Sequence, residues 1–226
     1  MPQRDGYFTI PYYIRLMQRA LALGYRFQTF PEYLKKPEER VILLRHDVDV
    51  SLEYALELAR LEERLGIISS FFVRVRSSLF NVYEAINTER LRELAAMGFE
   101  IGLHEEVGWF TADYAEVIKL MKEDKEGLER ILGKPIHGVT THVPKWNPIK
   151  ITSDVLEQTG FKYDPGGELF NQDAIFVSDS NKCWKKYSLE ETLGRFDKIL
   201  ASLHPVWWVG EIRDPANLIK LLAEGK

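Results

Sequence analysis

The run 41–44, Val-Ile-Leu-Leu, and the polar string that follows it, Arg45, His46, Asp47, Val48 and Asp49, constrain the fold most. Four consecutive aliphatic residues leave no polar face, so the strand they form must be covered on both sides, as in a parallel sheet flanked by helices. The charged residues enter only where the apolar run ends. In parallel α/β folds that end of the strand is where ligands bind and chemistry is done.

The chain repeats this rhythm. Ser51 is placed to cap a helix carrying Leu52, Ala55, Leu56, Leu58 and Ala59 that stops at Gly66, and 67–75 reads as a second buried strand. There follow a helix over 88–97, a strand over 99–104, and a long helix over 112–132 stopped by Gly133 and Pro135. Beyond it the pattern predicts a strand over 138–142, a short helix after Thr152, strands over 161–164 and 174–178, and a helix opened by a capping box from Ser188 to Glu191. A last strand-like run, 202–209, and a closing helix complete the alternation. Ahead of it all, 11–23 forms a helix with Ile14, Leu16, Met17, Ala20 and Leu21 near one face, ended by Gly24. An aromatic stretch over 25–34 and a charged turn over 35–40 come next. So many βα units favour a closed or nearly closed barrel over an open doubly wound sheet. With 226 residues, 45% of them hydrophobic, one domain over 1–226 is expected, its first 40 residues packed on the barrel as a helical and aromatic extension.

Composition narrows the partners. Thirty basic and 34 acidic residues are spread along the chain, leaving a net charge of −4 and no basic stripe for a nucleic-acid backbone. No run reaches the ~18 apolar residues of a membrane span, and 1–8 lacks the order of a secretory leader, so the default expectation is cytoplasmic. Cys183 is the sole cysteine and reads as structural or incidental.

The ionisable residues that interrupt apolar strands sit at strand ends: Asp47 and Asp49, His104 with Glu105 and Glu106, His142, Asp164 and His204. On a barrel those ends converge, and imidazoles with carboxylates suit a divalent ion that keeps one position open for water. Asp49 has a competing use as a cap for the helix after Ser51. Glu105 and Glu106 read as helix-leading or solvated acids, His137 as a loop residue, and His46 as a candidate supporting group. Trp109, Trp146, and Trp207 with Trp208 each follow a candidate histidine by five residues or fewer, where flat rings could wall a pocket for a sugar or stay structural and close the barrel end.

These strings resemble the polysaccharide deacetylases, carbohydrate esterase family 4, whose NodB homology domain is a distorted (β/α)7-type barrel. LLRHDVD at 43–49 is similar to the family's first motif in a divergent HDVD form, GIISSFFV at 66–73 to its second strand, and GFEIGLHE at 98–105 to the segment holding its first imidazole ligand. GFKYDPG at 160–166 resembles the strand entering the fourth motif, and LHP at 203–205 the last motif. The resemblance implies a metal-dependent deacetylase acting on non-peptide carbon-nitrogen bonds of an N-acylated sugar or related amide, and the lack of a leader-like order at 1–8 makes an intracellular substrate the expectation. It implies His104 as a ligand, one of Asp47 and Asp49 as base and the other as ligand, and His204 as general acid. We take Asp47 as the base and Asp49 as the ligand. The family's second imidazole, four residues after the first, is Gly108 here, so the third ligand must come from elsewhere; His142, in the place of an arginine-centred motif, is the candidate. The implied cofactor is a divalent ion, zinc first, with cobalt, nickel or iron almost equally suited. Trp109, Trp146, Asp164 and Trp207 are the expected substrate contacts. Hydrolysis of other small carbon-nitrogen bonds, and a carbohydrate-binding pseudoenzyme with an incomplete metal site, are the alternatives.

Overall fold

A computed structural model describes residues 8–143, 145, 147 and 149–210. In chain order the elements are α1 (Ile10–Ala22), β1 (Arg26–Phe27), α2 (Phe30–Lys35), β2 (Val41–Val48), α3 (Leu52–Arg64), β3 (Ser70–Val73), α4 (Ala85–Ala96) and β4 (Glu100–Glu105). After a 3-10 turn (Val107–Trp109) come α5 (Tyr114–Leu132), β5 (Val139–Thr141), α6 (Ser153–Thr159), α7 (Glu168–Asn171), β6 (Ile175–Ser178), α8 (Leu189–Thr192), β7 (Lys198–Leu203) and α9 (Pro205–Trp208).

The main path of the sheet is β5-β4-β3-β2-β7-β6, with every pair parallel. The two-residue β1 pairs with the first residues of β2, on the edge that β3 takes over from Arg45 onward. Beyond β5 a single parallel bridge joins Gly138 to Tyr163, and no described ladder joins Tyr163 to β6. The sheet therefore curls into a distorted (β/α) barrel that stays open on that side. The strand predicted over 161–164 is reduced to this bridge.

Alternation along the strands separates two environments. Val41 and Leu43 of β2 face inward with Phe72 and Leu200, while Ile42 and Leu44 face the surrounding helices. α3 to α6 cover β3 to β5, and α1 with α9 covers β2 and β7. The lower barrel is plugged by Phe30, the first residue of α2, whose ring meets Phe72, Tyr163 and Phe170 at centroid distances of 6.0, 5.8 and 4.9 Å. Two glycines make room: a Cβ at Gly102 would overlap the Phe72 ring, and one at Gly138 would lie 2.7 Å from Tyr163. The segment after α1 is thus part of the barrel core.

The caps follow their chemistry. Ser51 accepts the Glu53 amide, Ser188 and Glu191 form a reciprocal capping box, and Gly133 and Gly160 end their helices at φ +65° and +73°. Two expectations shift. The buried face of α1 uses Tyr12 and Tyr13 in place of Leu21, which is exposed. The apolar run 202–209 is not one strand: β7 ends at Leu203, and Pro205, with its fixed φ at the first helical position, starts α9. The closing helix expected after it lies outside the described residues.

Candidate metal centre

Three strand ends bring three side chains that could hold a metal ion to one point. Asp49 follows β2, His104 is the penultimate residue of β4, and His142 follows β5; all three are buried. Asp49 Oδ1 is 3.4 Å from His104 Nε2 and 3.1 Å from His142 Nδ1, and the two nitrogens are 3.1 Å apart. A tetrahedral ion with ligand bonds of roughly 2.0–2.1 Å holds its ligands roughly 3.3–3.4 Å from one another. The observed triangle needs only small adjustment to enclose such an ion. Two imidazoles and one carboxylate could supply three ligands and leave a fourth position open.

Asp47 and His204 flank the triangle. Asp47 lies two residues before Asp49 and points into the barrel, where its Oδ2 accepts from Arg45 Nη2 at 2.9 Å and Ser202 Oγ at 3.1 Å. Its Oδ1 is buried with no hydrogen-bond partner among the described residues. His204 Nε2 stands 4.0 Å from Asp47 Oδ2 and 3.7 Å from Asp49 Oδ2. On its other side His204 Nδ1 donates to Asp179 Oδ1 at 2.6 Å. Asp179, fully buried after β6, also accepts the His204 amide at 3.1 Å and Trp208 Nε1 at 2.8 Å.

The electrostatics give each group a definite charge. Burial alone would raise the Asp47 carboxyl, yet Arg45, then His104 and His204, hold it below the usual range. Burial acts the same way on Asp49, and His142 with His104 pull it well below. Burial would lower His204, but Asp179, Asp49 and Asp47 raise it to about 9, so it carries a proton at neutral pH. For His142 burial wins over Asp49, and the ring is held neutral, the form that binds a metal. Asp47 and Asp49 are thus held as carboxylates beside Arg45 and the protonated His204.

The remaining expected contacts are less uniform. Trp109 packs its ring 5.1 Å from that of His142. Asp164 accepts the Gly166 amide at 2.8 Å; burial raises its pKa, with Arg45 opposing and Asp47 reinforcing. Trp207 is buried in the layer outside the sheet, 6.4 Å from the His204 ring. Trp146 lies outside the described residues. His46 faces away from the site, with Nε2 2.8 Å from Glu62 Oε1. Glu62 also accepts from Tyr13 and, at 2.6 Å, from Ser69.

Glu105 and Glu106 are not solvated acids. Both are buried: Glu106 pairs with Arg74, which also donates to the Asp49 carbonyl at 3.2 Å, and Glu105 accepts from Asn147 and the Val107 amide. Burial raises Glu105 to about 7 against those bonds. Sequence reasoning also missed Asp179 and Arg45. Asp179 immediately follows a predicted strand, the criterion that found the others, and Arg45 shares a strand face with Asp47 by the period of two.

No protein-family profile matches the chain, and no curated protein matches it. Solved structures do. A CE4 family pseudoenzyme from Bacillus anthracis aligns with TM-score 0.54 at 11% identity, covering 83% of this chain and 62% of its own. A polysaccharide deacetylase from Bacillus cereus aligns with TM-score 0.54 at 18% identity, covering 81% and 86%. A family 4 carbohydrate esterase from Bacillus anthracis gives 0.52 and 15%, covering 94% and 84%. The chain has the fold of the CE4 polysaccharide deacetylases, and it spans less than two thirds of the pseudoenzyme's length. No described helix is long and apolar enough to cross a membrane.

Proposed function

We propose that this single-domain chain is a metal-dependent hydrolase that removes an acetyl group from an N-acetylated sugar. The observation that carries this reading is the Asp49, His104 and His142 triangle with Asp47 and a protonated His204 beside it. Asp49 Oδ1, His104 Nε2 and His142 Nδ1 would hold a divalent ion, zinc in the first instance. When bound, the ion supplies Lewis-acid polarisation of the amide carbonyl and acidifies water. Asp47, its Oδ2 fixed by Arg45 and Ser202, presents Oδ1 to accept the proton of the attacking water. His204, oriented by Asp179, gives its proton to the departing amine. Release of acetate then leaves the two groups to exchange protons with water and reset. Trp109, Trp146 and Asp164 are assigned to substrate contact, flat rings suiting a pyranose face, while Trp207, expected there from the sequence, is buried in the layer outside the sheet and packs there instead.

The test is acetate release from a panel of soluble N-acetylated sugars, nucleotide-linked sugars and small amides. The reading expects turnover on an acetylated sugar that chelation abolishes and zinc restores. Turnover confined to the small amides would replace the substrate class and keep the chemistry. A carbohydrate-binding pseudoenzyme is the second reading, favoured by the alignment with the Bacillus anthracis pseudoenzyme and by the glycine at 108. Sugar binding without acetate release from any zinc-loaded sample would favour it.

A further inference from the structure

His142 presents Nδ1 to the ligand triangle, the ring nitrogen nearer its own main chain, so the backbone itself must come close. The segment that brings it there is unusual. Val143, the next residue, has φ +43°, a left-handed conformation that a β-branched residue adopts only when its surroundings impose it. The His142 amide donates to the Glu105 carbonyl at 2.7 Å, and the Asn147 amide donates to the Val143 carbonyl at 3.2 Å. The buried Asn147 side chain then ties this turn to the barrel. Its Nδ2 donates to Glu105 Oε1 at 3.0 Å, and its Oδ1 accepts the Ile149 amide at 2.9 Å. Glu105 is held in turn by the Val107 amide at 3.1 Å.

Gly108 borders the same space. A Cβ there would overlap Asn147 Oδ1 and lie 2.9 Å from Ile149 Cγ1, so any side chain at 108 displaces the tie. We infer that Asn147 is a positioning residue for the His142 ligand, and that position 108 lacks a side chain because Asn147 occupies the room one would need. The inference rests on the metal-dependent reading above. It makes Gly108 and His142 two parts of one arrangement: what position 108 gives up is the space in which Asn147 is held.

Groups that orient ligands from behind typically contribute roughly 10–100-fold to metal affinity. The experiment titrates metal-free full-length chain with zinc against a competing chelator, and with cobalt while recording its visible absorption. Wild type, N147A, G108A and the double variant are compared. The expected result is a roughly 10–100-fold loss of zinc affinity in N147A with a changed cobalt spectrum. G108A, which keeps every hydrogen-bonding group, should lose affinity too, and it gives a second route if loss of Asn147 weakens the fold. In the N147A background the added methyl has nothing left to displace on Asn147, so the double variant should lose far less than the product of the single losses. Wild-type affinity and spectrum in N147A, or fully multiplicative losses in the double variant, would overturn the inference while leaving the metal site standing. Failure of the wild type to bind either metal would remove the metal reading and the inference with it.

Discussion

Glu100 offers a quantitative test of how the N-terminal segment is built into the barrel. It begins β4 on the inward face, where Oε2 accepts the Phe30 amide of α2 at 3.2 Å and Ser70 Oγ at 2.5 Å; Oε1 is buried without a described partner. Burial raises its pKa from 4.5 to about 7 despite those two bonds, with Glu32 adding to the rise. Between these values the folded chain keeps a proton that the unfolded chain has released, so stability falls as pH rises. The contribution is full below 4.5 and lost by the time pH passes about 7. A shift of this size corresponds to about 3 kcal/mol. Glu100→Gln keeps one acceptor and cannot ionise, so its stability lacks this slope. Urea unfolding of both proteins at pH 4.5 and pH 8 isolates the effect, because any constant cost of the amide cancels in the difference. The variant should gain about 3 kcal/mol on wild type between the two pH values. A stability difference unchanged by pH would refute the buried, proton-holding role.

Other outcomes follow from the same geometry. Phe30→Ala should cost about 3–5 kcal/mol by emptying the lower barrel, measured by thermal unfolding, with zinc affinity unchanged because the ligands lie at the opposite end. Asp47→Asn should lower kcat at least ~100-fold while the chain retains its metal, which separates base from ligand. Asp179→Asn keeps the shape but removes the charge behind His204; kcat should fall by roughly 10–100-fold at constant metal content, and an unchanged rate would remove Asp179 from the proton path.

How much of this could be read in advance depended on how local the signal was. The run 41–49 announced a covered parallel strand with acids at its end, because both features are contiguous in sequence. Glycines at helix ends and the Ser188 capping box were equally local. Glu105 and Glu106 were misread because their partners, Asn147 and Arg74, lie 42 and 32 residues away and nothing next to them signals burial. The apolar run through Trp207 and Trp208 concealed a helix start that Pro205 did announce. Asp164 entered as the end of a strand that shrank to one bridge, because the sheet does not close there. His142 could be named from its strand-end position, but the reason Gly108 accompanies it became visible only once Asn147 was seen to fill that space.

In the proposed metal site of Asp49, His104 and His142, His142 is a full member. Elemental analysis of purified wild type and His142→Ala, each metal-stripped and reloaded with zinc, tests it directly. Close to one zinc per wild-type chain is expected, with loss of nearly all of it in the variant. A wild type that resists loading, or a variant that keeps its zinc, would contradict it.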